Sequence, residues 1–150
     1  MEDDAEEMRV IYSVEGKADL CGMLFHVTDV NNILASVGRI TEAGNKVALG
    51  PKEHENDIEN LTTGKKILMK KKRGVYEVEV EFKVGKKNVK GCMVVDSGAA
   101  ECVMPWDVLE EVKMTEAKKG VRFAAANGGE MENYGRKMIE FVPMDFLRQP

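Results

Sequence analysis

Val75-Tyr76-Glu77-Val78-Glu79-Val80-Glu81-Phe82-Lys83-Val84, then Gly85-Lys86-Lys87-Asn88, then Val89-Lys90-Gly91-Cys92-Met93-Val94-Val95-Asp96-Ser97-Gly98-Ala99, is the stretch on which the fold turns. In its first part Val78, Val80 and Phe82 alternate with Glu77, Glu79 and Glu81. A period of two with a carboxylate at every second position predicts a strand with one face on a core and the other in water. Residues 85–88 are a turn, and residues 89–95 return as a second strand. The end of that strand, Cys92-Met93-Val94-Val95, is apolar at both parities, so it is expected to run into the core, with Cys92 a small buried hydrophobe. Asp96 follows at once. An ionised carboxylate at the end of a buried strand is costly unless hydrogen bonds or a function compensate. Ser97, Gly98 and Ala99 are small and permit a tight turn in which backbone N–H groups and the Ser97 hydroxyl can reach the carboxylate. The plain alternative is an Asx turn that merely caps the strand.

Downstream, Pro105 in a first turn predicts a short helix over residues 105–112. Residues 120–126 read as a strand, Asn127-Gly128-Gly129 as a hairpin tip that tolerates positive φ, and residues 130–142 as the returning strand, with a kink or bulge at Tyr134-Gly135. Upstream, residues 9–14 and 23–30 read as strands joined by a turn at 16–19, and His26 falls on a sheet face. Ser36 is an N-cap and Gly44 a C′ residue for a short helix over 37–43. Strands over 45–49, 58–61 and 66–69 follow, with a polar loop between the first two. Residues 1–8 are an acidic tail without the apolar stretch of a signal peptide, and residues 143–150 are a second tail.

The chain has 150 residues, a length that suits one core, here spanning 9–142. Hydrophobic residues make up 43% and charged residues 32%, the balance of a globular chain rather than a disordered one. No apolar run approaches the roughly 18 residues of a membrane span, so no membrane partner and a cytoplasmic location are expected. A net charge of −4 gives no overall attraction to nucleic acid. The local exception, Lys65-Lys66 with Lys70-Lys71-Lys72-Arg73, reads as the charged edge of a strand pair, because no aromatics are interleaved with it. Three cysteines without a secretory signal argue against a disulfide framework. His26 and His54 make no ligand spacing with cysteine, so no metal and no other cofactor is expected. Ser97 lacks a nucleophile elbow, Cys102 lacks an evident base, and Asn127-Gly128-Gly129 is too short for a phosphate loop.

A strand hairpin feeding Met93-Val94-Val95-Asp96-Ser97-Gly98-Ala99, with a glycine-tipped hairpin after it, resembles the retropepsin clan of aspartic proteases. That clan's signature is a few hydrophobic residues followed by Asp-Thr/Ser-Gly-Ala. The leading hairpin corresponds to 78–95 and the flap to 121–141. A second resemblance covers the first half. Val27-Thr28-Asp29-Val30-Asn31-Asn32-Ile33-Leu34-Ala35-Ser36-Val37-Gly38-Arg39-Ile40, Gly44-Asn45-Lys46-Val47-Ala48-Leu49, Thr63-Gly64-Lys65-Lys66 and Arg73-Gly74-Val75-Tyr76 look like the part of copia-like retrotransposon polyproteins that follows the flap and closes the protease fold. Here that closing segment, about residues 20–72, precedes the catalytic unit at 75–142. The chain thus looks circularly permuted, or like a piece cut across two tandem copies; domain termini often lie close enough together for permutation.

The resemblance implies a mostly β protein, a retropepsin-like closed β-barrel with one or two short helices. It implies an aspartic endopeptidase of retroelement type acting on a polypeptide substrate. Asp96, Ser97 and Gly98 would be the catalytic loop, and Ala99, Asn127, Gly128 and Gly129 would line the substrate and close over it. Arg39 would pair with Glu101 and knit the helix to the loop. Two neighbouring aspartates cannot both ionise, so a dyad shares one proton. This chain has a single Asp-Ser-Gly, so an isologous homodimer is expected to supply the second. The pattern departs from the family where Ala100-Glu101 and Ala35-Ser36 stand. The alternatives are an inactive domain of the same fold that serves as a dimerisation or peptide-binding module, and a polyprotein fragment stable only with its neighbours.

Overall fold

The computed structural model describes residues 8–12, 19–125 and 127–144. In chain order these form β1 (Met8–Tyr12), β2 (Asp19–Thr28), β3 (Leu34–Ser36), α1 (Val37–Glu42), β4 (Asn45–Ala48), β5 (Asp57–Asn60) and β6 (Lys66–Leu68). Then come β7 (Lys70–Lys72), β8 (Val75–Val84), β9 (Lys87–Asp96), β10 (Val103–Pro105), β11 (Phe123–Ala124), β12 (Glu130–Met131) and β13 (Asn133–Pro143). The protein is mostly β, and α1 is the one α-helix among the described residues, with a single 3-10 turn at Glu53–Glu55.

Six strands close on themselves in the order β2-β10-β3-β9-β8-β13, and β13 pairs back onto β2. Closure leaves these strands no free edge along the barrel wall. β1 and β7 add to the outside of the circuit, on β2 and β8 respectively. β10 separates β2 from β3, while β9, β8 and β13 complete the circuit, so neither the strands before residue 43 nor those after it close the barrel alone.

Alternation decides which side chains face inward. Val78, Val80, Phe82 and Val84 of β8 are buried, with Glu77, Glu79 and Glu81 between them on the wetter face. Cys21, Met23, Phe25 and Val27 of β2 and Ile139 and Phe141 of β13 fill the same core. The Phe82 and Phe141 rings meet nearly edge to face at 6.5 Å. The sequence also leaves room for this packing. A Cβ on Gly91 would lie 2.7 Å from the Phe82 ring, so the glycine lets the ring lie against the strand.

Ser36 caps α1, its side chain accepting from Arg39 N–H, and Gly44 follows with φ 94°, a backbone conformation that favours glycine. From there β4, β5 and β6 make a separate antiparallel sheet that carries the chain from α1 to β7. At Asn133/Gly135 the β13–β2 register shifts, a bulge at Tyr134-Gly135. Gly135 has φ 156°, and a Cβ there would meet the Thr115 carbonyl at 2.4 Å. That closeness lets Thr115 and Arg136 exchange backbone hydrogen bonds of 2.7 and 3.0 Å.

Several local expectations change. No helix spans 105–112: Pro105 ends β10, and turns follow in which Leu109 takes φ 53°. Val108, Leu109 and Val112 still pack against the core, so their apolar spacing reflects a lid of turns rather than a helical face. Cys92 is exposed, not buried. It pairs with Glu79 across the hairpin, so the register puts it on the carboxylate face. The expected strand over 120–126 shrinks to Phe123–Ala124. The second half of that hairpin divides into β12 and β13, and Pro143 belongs to β13 rather than to a tail. β7 was not anticipated, because three lysines show no alternation. The lysine cluster nevertheless forms an edge: Lys70 Nζ lies 3.1 Å from Glu79, and Lys71 sits over the Tyr76 ring at 5.5 Å. Met8 lies in β1 rather than in a tail. The rest of the acidic tail, residues 13–18 with most of the expected first turn, Ala126 and residues 145–150 lie outside the described residues.

Candidate functional site

β9 and β10 follow one another in sequence but are not neighbours, because β3 is inserted between them. β3 runs parallel to β9 with Ser36 beside Asp96, and antiparallel to β10 with Leu34 opposite Val103. The connection from Asp96 to Cys102 therefore has to arch over the end of β3. Val94 N–H to Ile33 O and His26 N–H to Cys102 O, both 2.9 Å, fix the two feet of the arch.

Asp96 is half-buried at the end of β9. Its Oδ1 accepts from Gly98 N–H at 2.8 Å, the geometry of an Asx turn. Among the described residues its second oxygen has no hydrogen-bond partner, and the exposed Ser97 hydroxyl is likewise not engaged. One carboxylate oxygen is thus held by the backbone while the other is open to water or a further donor. Gly98 is exposed and Ala99 half-buried.

The arch is fastened from behind. Buried Ser36 donates its hydroxyl to Ala99 O at 2.7 Å, accepts from Arg39 N–H at 3.2 Å, and its backbone N–H meets Cys102 Sγ at 3.3 Å. Arg39 grips Glu101 with two nitrogens, Nε to Oε1 at 3.1 Å and Nη2 to Oε2 at 2.5 Å. Such a forked pair fixes direction as well as charge. The structure therefore brings Arg39 and Glu101 together and ties helix α1 to the loop.

The glycine-tipped hairpin is β11 and β12. Ala125 N–H bonds to Gly129 O at 2.7 Å, Gly128 N–H to Ala125 O at 2.8 Å, and Asn127 Oδ1 accepts from Gly129 N–H at 2.9 Å. Gly128 has φ 88°. Asn127, Gly128 and Gly129 are exposed at the tip. At the base, Phe123 lies against the His26 ring, centroids 5.7 Å apart. His26 in turn places Nε2 3.4 Å from Glu101 Oε1. Sequence reading gave His26 no role beyond a sheet face. The partners that bury it come from residues 101 and 123, and no short-range pattern announces such contacts.

Among the described residues no group of three or more His, Cys, Asp or Glu is placed to hold a metal ion, and no helix is long and apolar enough to cross a membrane. The chemistry available at the loop is that of a half-buried carboxylate, with one oxygen free of a hydrogen-bond partner among the described residues, next in sequence to an exposed serine. No protein-family model, curated protein or solved structure matches the chain.

Proposed function

We propose that the protein is an aspartic endopeptidase of retroelement type, working as a homodimer in which Asp96 of each subunit faces its mate. The observation that carries this reading is the state of Asp96. One oxygen is held by Gly98 N–H, the other is open, and the loop bearing both is anchored by Ser36, Arg39 and Glu101. Orientation fixed by neighbours, with reactive capacity left free, is what a catalytic carboxylate needs.

Two such groups brought together share a single proton. The ionised one takes a proton from water as the oxygen attacks the peptide carbonyl, and the protonated one delivers its proton to the carbonyl oxygen. Ser97 ties the two loops together through its free hydroxyl. Gly98 lets a peptide backbone approach closely, and Ala99 lines the cleft beside it. The hairpin tipped by Asn127, Gly128 and Gly129 closes over the substrate and excludes water.

The retropepsin-like assignment of the barrel belongs to this proposal, as does the permuted order. Phe141 of β13 lies opposite Cys21 of β2, so the last barrel strand ends beside the start of the first. A chain in the unpermuted order would join these two strands directly. Because the Asx turn at Asp96 would equally cap a strand in a peptide-binding module without activity, that is the second reading.

Wild type and Asp96→Asn incubated with an unstructured protein substrate at about pH 4–6 separate the two. The expected result is cleavage by wild type that falls by about a thousandfold or more in the variant and is slowed by a statine-type inhibitor. Equal inertness of two confirmed dimers overturns the enzyme in favour of the module. A chain that stays monomeric at high concentration in sedimentation overturns the dyad itself.

A further inference from the structure

Beneath the hairpin runs a set of contacts that the proposed dyad does not use. His26 is only 2% exposed although it lies on β2 between Phe25 and Val27, which point into the barrel. Its ring therefore stands on the outer face, and other elements bury it. Phe123 at the hairpin base covers one side with a tilted ring at 58°. Glu101, from the far end of the Asp96 loop, presents a carboxylate oxygen to Nε2.

The charged groups facing His26 come from three elements. Glu101 comes from the loop, and Arg39 comes from α1 and acts through the carboxylate it shares. Arg136 of β13 is the cross-strand neighbour of His26, with its Nε donating to the Glu116 carbonyl. The hairpin contributes the uncharged ring of Phe123.

We propose that His26 is a positioning residue that couples the hairpin at 123–131 to the Asp96 loop, and that its protonation tightens this coupling. At 3.4 Å a neutral imidazole makes only a weak bond to Glu101. Once protonated it becomes a charged donor beside an ionised carboxylate, and such bonds are shorter and about twice as strong. Movement of the ring toward Glu101 carries the packed Phe123 with it, and hence the base of the hairpin. The consequence for peptide binding rests on the protease reading; the coupling itself does not.

Amide and imidazole NMR of the full chain between about pH 4.5 and 8 tests it. The chain holds two histidines, and exposed His54 serves as the internal reference. The Gly128 and Gly129 amide signals are expected to titrate with the His26 midpoint and not with that of His54. Their shift disappears in His26→Gln. In Glu101→Gln the His26 midpoint falls by about one pH unit or more, because the attractive charge beside the ring is lost while Arg39 remains nearby. A His26 that stays uncharged throughout this range in the wild type overturns the proposal. So do glycine signals that titrate identically in His26→Gln or, should that variant not fold, a midpoint unmoved in Glu101→Gln. None of these readouts needs turnover, so an inert Asp96 site is distinguishable from a failed coupling. If the protein cleaves peptides, His26→Gln raises KM more than it lowers kcat, increasingly toward acid pH. A loss confined to kcat and equal at every pH overturns the positioning role.

Discussion

The Ser36 hydroxyl donates to the Ala99 carbonyl at 2.7 Å while accepting the Arg39 N–H at 3.2 Å, so a single oxygen serves as helix cap and loop clamp. The two partners lie 63 and 3 residues away in sequence. Ser36 is fully buried, and truncation leaves both groups to find other partners in a dry setting. Ser36→Ala is expected to lower stability by about 1–2 kcal/mol, seen as a lower urea midpoint at unchanged slope. A loss below about 0.3 kcal/mol, within the ordinary effect of a surface change, would contradict the clamp.

Arg39 offers an internal comparison between two ion pairs. With Glu101 it forms a forked pair whose side chains are 26% and 19% exposed; with Glu42 it forms a single bond at 2.9 Å to a side chain 64% exposed. Screening and side-chain freedom weaken the second far more than the first. A double-mutant cycle on Arg39 and Glu101 is expected to give a coupling of about 1–2 kcal/mol, and one on Arg39 and Glu42 about 0.5 kcal/mol or less. Arg39→Lys keeps the charge but not the fork, and is expected to recover less than half of the larger coupling. Equal couplings for the two pairs would show that the fork adds nothing.

These two sites mark the border of what the sequence discloses. The strand over 75–84 is legible because Val and Phe alternate with Glu at a period of two, and the structure places those valines inside. Helix α1 is legible because Ser36 and Gly44 punctuate both ends. The region after Pro105 misleads because Pro, Val108, Leu109 and Val112 imitate a helix start and an apolar face. Contact with the barrel and the Lys137 bond to Leu109 O stabilise turns instead. Cys92 misleads because a continuous apolar run hides the parity of a strand. Only the pairing with Glu79 reveals which face it is on. At the site, the Asp96 loop and the glycine tip could be read locally. The insertion of β3 between β9 and β10, and with it the role of His26, depends on pairings between residues as far apart as Leu34 and Val103.

The cysteines should separate by reactivity. Cys21 and Cys102 are buried and Cys92 is exposed, so a native-state thiol titration should label one group per chain. Exposure alone would make that group fast, but partial desolvation and then the Glu77 carboxylate push the Cys92 thiol up, which thins out its thiolate at neutral pH. Alkylation of Cys92 is expected to be slower than that of a free cysteine and to speed up roughly two- to fivefold in Glu77→Gln. Two reactive thiols in the folded protein, or a slower reaction in the variant, would refute the assignment.

Lys137 gives the fold a dependence on pH whose sign follows from its burial. It lies at a core position of β13, 4% exposed, and its Nζ donates to Leu109 O at 3.0 Å. Burial holds its ammonium below the ordinary lysine value of 10.5, while Glu110 and Glu111 pull the other way without cancelling the effect. Between the depressed value and 10.5 the unfolded chain keeps a proton that the folded chain has already released. Raising the pH through that window therefore favours folding, and below it the charged form is disfavoured by the same amount at every pH. Lys137→Met removes this titration and leaves that of Tyr134 and Cys92 in place, so the difference between the two proteins isolates it. Urea unfolding at pH about 7 and about 10 should show wild type gaining on the variant as the pH rises. A difference that stays constant, or that shifts toward the variant, would mean that the buried ammonium is matched by its surroundings as well as it is by water.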